Sequence, residues 1–243
     1  MCSGAALRAR DQEGNPMKVL IFGATGMVGH GVLRECLLAG DVTQVVSVGR
    51  SALAQQHPKL VSVVHADLFD LAAIEAQLRD VDACFFCLGV SSVGMSEADY
   101  RRQTLDLTLS IAQTLARVSP QACFVYVSGT GTDSSEKGGS MWARVKGRTE
   151  NELMRLPFRS AFMFRPGVIQ PLNGARSKVG WIHAFYVVLG PLLSGLRALF
   201  PRSLLSTVVI GRAMLAAARA PAARRVAEPA DIWALSQETS DGR

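Results

Sequence analysis

Two kinds of apolar block alternate along this chain. Short runs that are apolar throughout are separated by longer stretches in which apolar residues return every three or four positions. MKVLIFGATG (17–26), TQVVSVGR (43–50), LVSVVHADLFD (60–70), VDACFFCLG (81–89), ACFVYVSGTG (122–131) and RSAFMFRPG (159–167) are of the first kind and predict six strands. MVGHGVLRECLLAG (27–40), DLAAIEAQLRD (70–80), SEADYRRQTLDLTLSIAQTLARVSP (96–120) and SMWARVKGRTENELMRL (140–156) predict helices, the first capped at Gly40 and the third stopped before Pro120. Strands that are apolar along their whole length, and not on alternate residues, are covered on both faces. Strand and helix in strict alternation then call for an α/β fold, a doubly wound parallel sheet with right-handed crossovers.

The pattern loosens after Pro171. WIHAFYVVLGPLLSGLRALF (181–200) is long and apolar enough to span a bilayer, but Gly190-Pro191 divides it and Ser194, Gly195 and Arg197 interrupt its second half. Three readings stay open there: a buried helix pair or lid, a peripheral membrane contact, or a span. The chain therefore divides into a tail or upstream start (1–16), an alternating strand-and-helix domain (17–170) and a small, mostly helical C-terminal lobe serving as substrate lobe or lid (171–243).

Composition narrows the class. With 49% hydrophobic and 19% charged residues over 243 positions, the chain can bury a substantial core. Residues 1–16 lack the apolar core of a secretory signal. The five cysteines are scattered and odd in number, which fits a reducing, cytoplasmic setting. Cys84 and Cys87 form a C-x-x-C inside a strand-like run, where alternation sends them to opposite faces, and no second pair follows at zinc spacing; both read as packing residues, and no metal is expected. Between Glu152 and Glu228 there is no acidic residue against eleven cations, so the last third is basic and the rest mildly acidic. Anionic small molecules, cofactor phosphates or an anionic membrane surface suit that distribution. Nucleic acid does not, because no nucleic-acid motif accompanies the arginines.

The first candidate site is Gly23-Ala-Thr-Gly26-Met-Val-Gly29, between the first strand and the first helix. Gly23 permits a tight turn, Gly26 lets backbone N–H groups approach a pyrophosphate, and Gly29 lets the helix pack close to the strand. The helix N-terminus adds unsatisfied donors and a positive dipole end. The second strand ends VSVGR. Arg50 stands where an NAD site usually carries an acid, and its guanidinium suits a 2′-phosphate, so NADP is favoured over NAD.

Taken in order, GATGMVG, VGR, HADLFD, CLG, VSGTG, W-x-x-x-K and RPG resemble the atypical or extended short-chain dehydrogenase/reductases. The chain is most similar there to the small NAD(P)H-binding, epimerase-like proteins and to the Tat-interactive oxidoreductase-like proteins. The match covers about residues 17–220 and implies a Rossmann fold and an oxidoreductase- or epimerase-like activity. By resemblance, Gly23, Thr25, Gly26, Met27 and Val28 hold the pyrophosphate and Arg50 the 2′-phosphate. Asp67 and Leu68 border the adenine, and Cys87, Leu88 and Gly89 follow the adenosine ribose. Lys146 meets the nicotinamide ribose, and Pro166 lies in the segment passing the carboxamide. Ser128 lies next to the family's catalytic Ser, whose own column falls on Gly129. Such proteins occur as monomers and as homodimers, and both remain open here.

One departure matters most. Four residues before Lys146 the family carries a Tyr whose phenol exchanges a proton with substrate, and this chain carries Trp142. An indole N–H donates but does not titrate usefully in water. Tyr100, Tyr126, His183 and Tyr186 are the other candidate acids, and Thr104 stands near the place of a family Asn. The catalytic set is thus Lys146, Ser128 and Trp142. The alternative is a non-catalytic NADP(H)-binding regulator or redox sensor.

Overall fold

The computed structural model describes residues 15–172, 204–220 and 223–238. Seven strands lie side by side in the order β3 (Leu60–Val64), β2 (Val42–Gly49), β1 (Met17–Phe22), β4 (Ala83–Phe86), β5 (Cys123–Val127), β6 (Ser160–Phe164) and β9 (Arg224–Ala227). Every neighbouring pair is parallel. A short parallel pair, β7 (Val168–Gln170) with β8 (Leu204–Ser206), stands apart from this sheet. The chain moves outward from β1 to β3, then returns to the other side of β1 with β4. That reversal leaves a crevice at the carboxyl ends of β1 and β4, where ligands bind in open α/β sheets.

The helices are α1 (Met27–Leu38), α2 (Glu97–Arg101), α3 (Leu107–Val118), α4 (Met141–Arg155), α5 (Thr207–Arg219) and α6 (Pro229–Glu238). A single π-helical turn, Arg102–Asp106, joins α2 to α3, and Ala72–Leu78 forms a 3-10 helix. Alternation along the strands sends Val19, Ile21, Phe85, Val125 and Phe162 to one face, under α1, α5 and α6. Leu20, Phe22, Cys84, Phe86, Phe124 and Tyr126 go to the other, under the 3-10 helix, α3 and α4. The C-x-x-C divides as its spacing predicts, with Cys84 in the second layer and Cys87 packed against the first.

Several boundaries move for local reasons. The third strand stops at Val64, since Asp67 and Asp70 accept hydrogen bonds from the backbone N–H of Phe69 and Ala72, both 2.9 Å, and fold the chain away. The first helix ends at Leu38, with Ala39, in extended conformation, as its cap, so Gly40 does not have the role expected of it. The segment expected as an α-helix at 70–80 is the 3-10 turn, long enough to bury Ile74 and Leu78.

The C-terminal region is described in part. Of residues 171–243, those described complete the main domain. β9 adds the seventh strand beside β6, and α5 packs on α1. Gly31 and Gly211 make that approach possible: a Cβ on Gly31 would lie 2.5 Å from Thr207 Cβ, and one on Gly211 2.8 Å from Glu35 Cγ. Arg212 reaches Glu35 and Arg219 grips Asp41 through two hydrogen bonds of 2.7 and 2.8 Å. The arginines that made this region look like a basic face are partly structural. Arg159 donates to the carbonyls of Ala218 and Ala220 at the end of α5, and Arg225 lies over the Phe162 ring. The 181–200 stretch, with its membrane and lid readings, lies outside the described residues, as do His183 and Tyr186. Among the described residues no helix is long and apolar enough to cross a membrane.

Candidate cofactor and active site

The crevice is built first by missing side chains. Gly23 has φ +86°, and a Cβ there would lie 2.8 Å from the Cys87 carbonyl and the Leu88 nitrogen. The first glycine of the loop and the segment after β4 therefore touch. Gly29 is more constrained: its Cβ would stand 2.1 Å from the Gly23 carbonyl oxygen. Gly26 caps α1, its N–H donating to the Gly23 carbonyl (2.9 Å). No side chain caps this helix and no acid lies in its first turn. Its free N–H groups and positive end thus face the crevice without a competing anion. Thr25 is exposed, and Met27 and Val28 are half-buried at the helix start.

Arg50 lies exposed just past the end of β2, the strand next to β1, at the same edge of the sheet. Asp67 is exposed, with one carboxylate oxygen held by the Phe69 N–H. Leu68 differs from expectation: its side chain is buried in the second core layer, which leaves only its backbone to border a ligand. Cys87 and Leu88 are half-buried and Gly89 exposed along the β4 exit. Pro166 is buried, and its carbonyl accepts from the Thr130 N–H at 3.0 Å, tying the β5 and β6 exits together.

The other half of the site is built by side chains. Trp142, Lys146 and Glu150 follow at four-residue steps on α4 and share a face. Trp142 packs with Tyr100, Leu105 and Val145 against the π turn, and its ring edge abuts the loop after β5, 3.2 Å from where a Gly131 Cβ would stand. Lys146 donates to the Ser128 carbonyl. Glu150, 1% exposed, is the residue that sequence reasoning missed. Its carboxylate takes hydrogen bonds from Arg165 Nε (3.1 and 3.2 Å) and Arg165 Nη2 (2.5 Å). Arg165 also reaches Glu228 and Ser134, so one guanidinium joins β6, α4, the loop after β5 and the turn before α6. The step of four from Lys146 was the only sequence signal for Glu150. Nothing local marked Arg165 as its partner.

This network corrects the role expected of Ser128. Its Oγ is buried, 2.5 Å from Glu150 Oε1 and 3.1 Å from the Phe164 carbonyl. A hydroxyl has one proton to give, and here the carboxylate takes it, so Ser128 supports Glu150 from inside the fold. Tyr100 and Tyr126 are each 2% exposed, and burial raises both phenols above the ordinary tyrosine value. They are core residues with Thr104 and Thr149 as hydrogen-bond partners. Lys146 is shifted the other way: burial lowers its ammonium to about 8, against the opposing pull of Glu150.

A protein-family model described as NAD(P)H-binding matches residues 23–153, from the first glycine of the loop to the end of α4. The chain belongs to this NAD(P)H-binding family. Among curated relatives, protein fmp52-2, mitochondrial, of Aspergillus oryzae is 26% identical over 230 residues, covering 90% of this chain and 96% of its own. Protein FMP52, mitochondrial, of Saccharomyces cerevisiae is 28% identical and covers 66% of this chain and 68% of its own. These names overturn the cytoplasmic placement. Unpaired thiols report a reducing environment and carry no address.

Solved structures show the same fold. The Bordetella bronchiseptica enzyme WbmF in complex with NAD+ superposes with a TM-score of 0.64 at 16% identity, covering 93% of this chain and 78% of that one. Uronate dehydrogenase from Agrobacterium tumefaciens gives 0.64 at 17% identity, covering 88% and 76%. The UDP-glucuronic acid 4-epimerase of Bacillus cereus gives 0.61 at 14%, covering 87% and 76%. The Rossmann-type doubly wound architecture expected from the motif order is therefore present.

Proposed function

We propose that this NAD(P)H-binding protein takes NADP(H) in preference to NAD(H) and acts as an oxidoreductase- or epimerase-like protein on a small, anionic molecule. One observation carries the cofactor reading: the glycine-built, uncapped N-terminus of α1 opens on the crevice beside an exposed Arg50. Backbone donors would hold the pyrophosphate, and the Arg50 guanidinium would grip a 2′-phosphate in a bidentate contact. The Cβ distances at Gly23 and Gly29 support the tight loop this needs, because a side chain at either position would strike backbone, of Cys87 and Leu88 or of Gly23, and push the loop and α1 apart. When bound, the nicotinamide would supply or accept a hydride. Lys146 would orient the adjoining ribose, and the Glu150–Arg165 pair would hold α4 in place beneath it.

A second reading, a binder that senses the cofactor's redox state without turnover, is favoured by Trp142, which fills the place of the phenol. Titration with NADPH and NADH, followed by nicotinamide fluorescence, tests the first claim. NADPH is expected to bind more tightly, and Arg50→Ala is expected to remove that preference. Equal affinities in the parent protein would refute it. Carbonyl reduction that appears only in Trp142→Tyr would favour the sensor.

A further inference from the structure

With Trp142 unable to titrate and both described tyrosines in the core, the group on α4 that still faces a ligand with exchangeable protons, among the described residues, is Lys146. Lys146 is half-buried on α4, and its ammonium makes one hydrogen bond among the described residues, to the Ser128 carbonyl. Two N–H groups remain for a ligand. The carboxylate best placed to neutralise it is Glu150, one helical turn on. Glu150, however, is bound by Nε and Nη2 of Arg165 and by the Ser128 hydroxyl. The groups facing Lys146 are therefore a neutral carbonyl from β5, Gly129 with its Cβ position 3.7 Å from Nζ, and a carboxylate already shared with an arginine from β6.

We propose that Lys146 is itself the proton donor of this site, taking the part that a phenol takes in relatives, and that Arg165 makes this possible by holding Glu150. The inference rests on the oxidoreductase reading above. When bound, the reduced nicotinamide would supply the hydride and its two electrons to a carbonyl carbon, the C=O π pair moving to oxygen. The Lys146 ammonium N–H would break as the alcohol O–H forms, and the neutral amine would recover its proton from water. Burial supports this, since it brings the ammonium to about 8, near the pH at which a donor must work.

The test begins without turnover. Lys146 is labelled competitively with acetic anhydride across pH 6–11 and its reactivity is followed by peptide mass spectrometry. The expected midpoint is near 8, falling in Glu150→Gln, where the favourable carboxylate is gone. A midpoint in the ordinary lysine range overturns the proposal, and that measurement needs no variant to fold. NADPH oxidation is then followed with 4-nitrobenzaldehyde and 9,10-phenanthrenequinone. Lys146→Arg, which keeps the charge but cannot release its proton, is expected to bind NADPH and to reduce the aldehyde about 10²–10⁴-fold more slowly. Equal rates in Lys146→Arg and the parent, or bound NADPH that neither carbonyl oxidises, overturn it. Failure of the cofactor reading shows separately, as absence of nucleotide binding by fluorescence.

Discussion

The two halves of the crevice are made by opposite means. At the N-terminus of α1 the site is formed by backbone alone: Gly23, Gly26 and Gly29 supply space and N–H groups, and no side chain caps the helix. On α4 it is formed by side chains that are already partnered, with Glu150 held by Arg165 and Ser128, and Trp142 pressed against the loop after β5. The first half is open to an anion and tolerates no added atom. The second is a fixed frame around a single adjustable charge, Lys146. On the functions proposed above, recognition of the cofactor and exchange of a proton would reside in separate structures, so that each could be broken without the other.

The largest effect is expected from Arg165→Met. It leaves Glu150 buried without its cation, which costs about 3–5 kcal/mol of stability by urea denaturation. Adding Glu150→Met is expected to recover much of that loss, because the stranded charge is then removed. Gly29→Ala breaks the other half. Its Cβ would meet backbone atoms and not a flexible side-chain end, so a cost of about 3 kcal/mol is expected, at the upper end for overpacking. Nucleotide binding should be lost with it, while Arg165→Met protein that remains folded should still bind.

Arg50→Ala sharpens the comparison. Loss of a charge-assisted contact is expected to weaken NADPH by about 1.5–3 kcal/mol, measured calorimetrically, and to leave NADH unchanged. The last is a pH dependence on α4. The Lys146 amine has a lower pKa folded than unfolded, so between about 8 and the ordinary lysine range the unfolded chain binds more protons. Stability should therefore rise with pH through that window, relative to Lys146→Met at each pH. A flat difference curve would show that Lys146 titrates alike in both states.

What could be read from the sequence follows the same division. The cofactor loop is a local device: turn, N–H donors and close packing are all set within seven residues, and a string of letters shows them. The strands were legible because covered strands are apolar throughout. β9 was not, since Arg224-Arg225-Val-Ala carries two arginines, and its place beside β6 depends on α5 packing against α1. Ser128 was misread for a related reason. A serine at a strand end looks available until the carboxylate that accepts its hydrogen bond, twenty-two residues on, is brought beside it.

By itself, then, the sequence determined the alternation that makes a doubly wound sheet, the glycine cradle, the arginine in place of an acid and the tryptophan in place of a phenol. Each is stated by residue type at short spacing, where backbone geometry leaves few choices. Only the tertiary structure decided that the C-terminal segment completes the sheet, that Glu150 belongs to Arg165, and that Lys146 is left with a neutral carbonyl as its hydrogen-bond partner. Those outcomes depend on which distant groups share one buried volume. Burial is also what lowers the Lys146 ammonium from the ordinary lysine value to about 8.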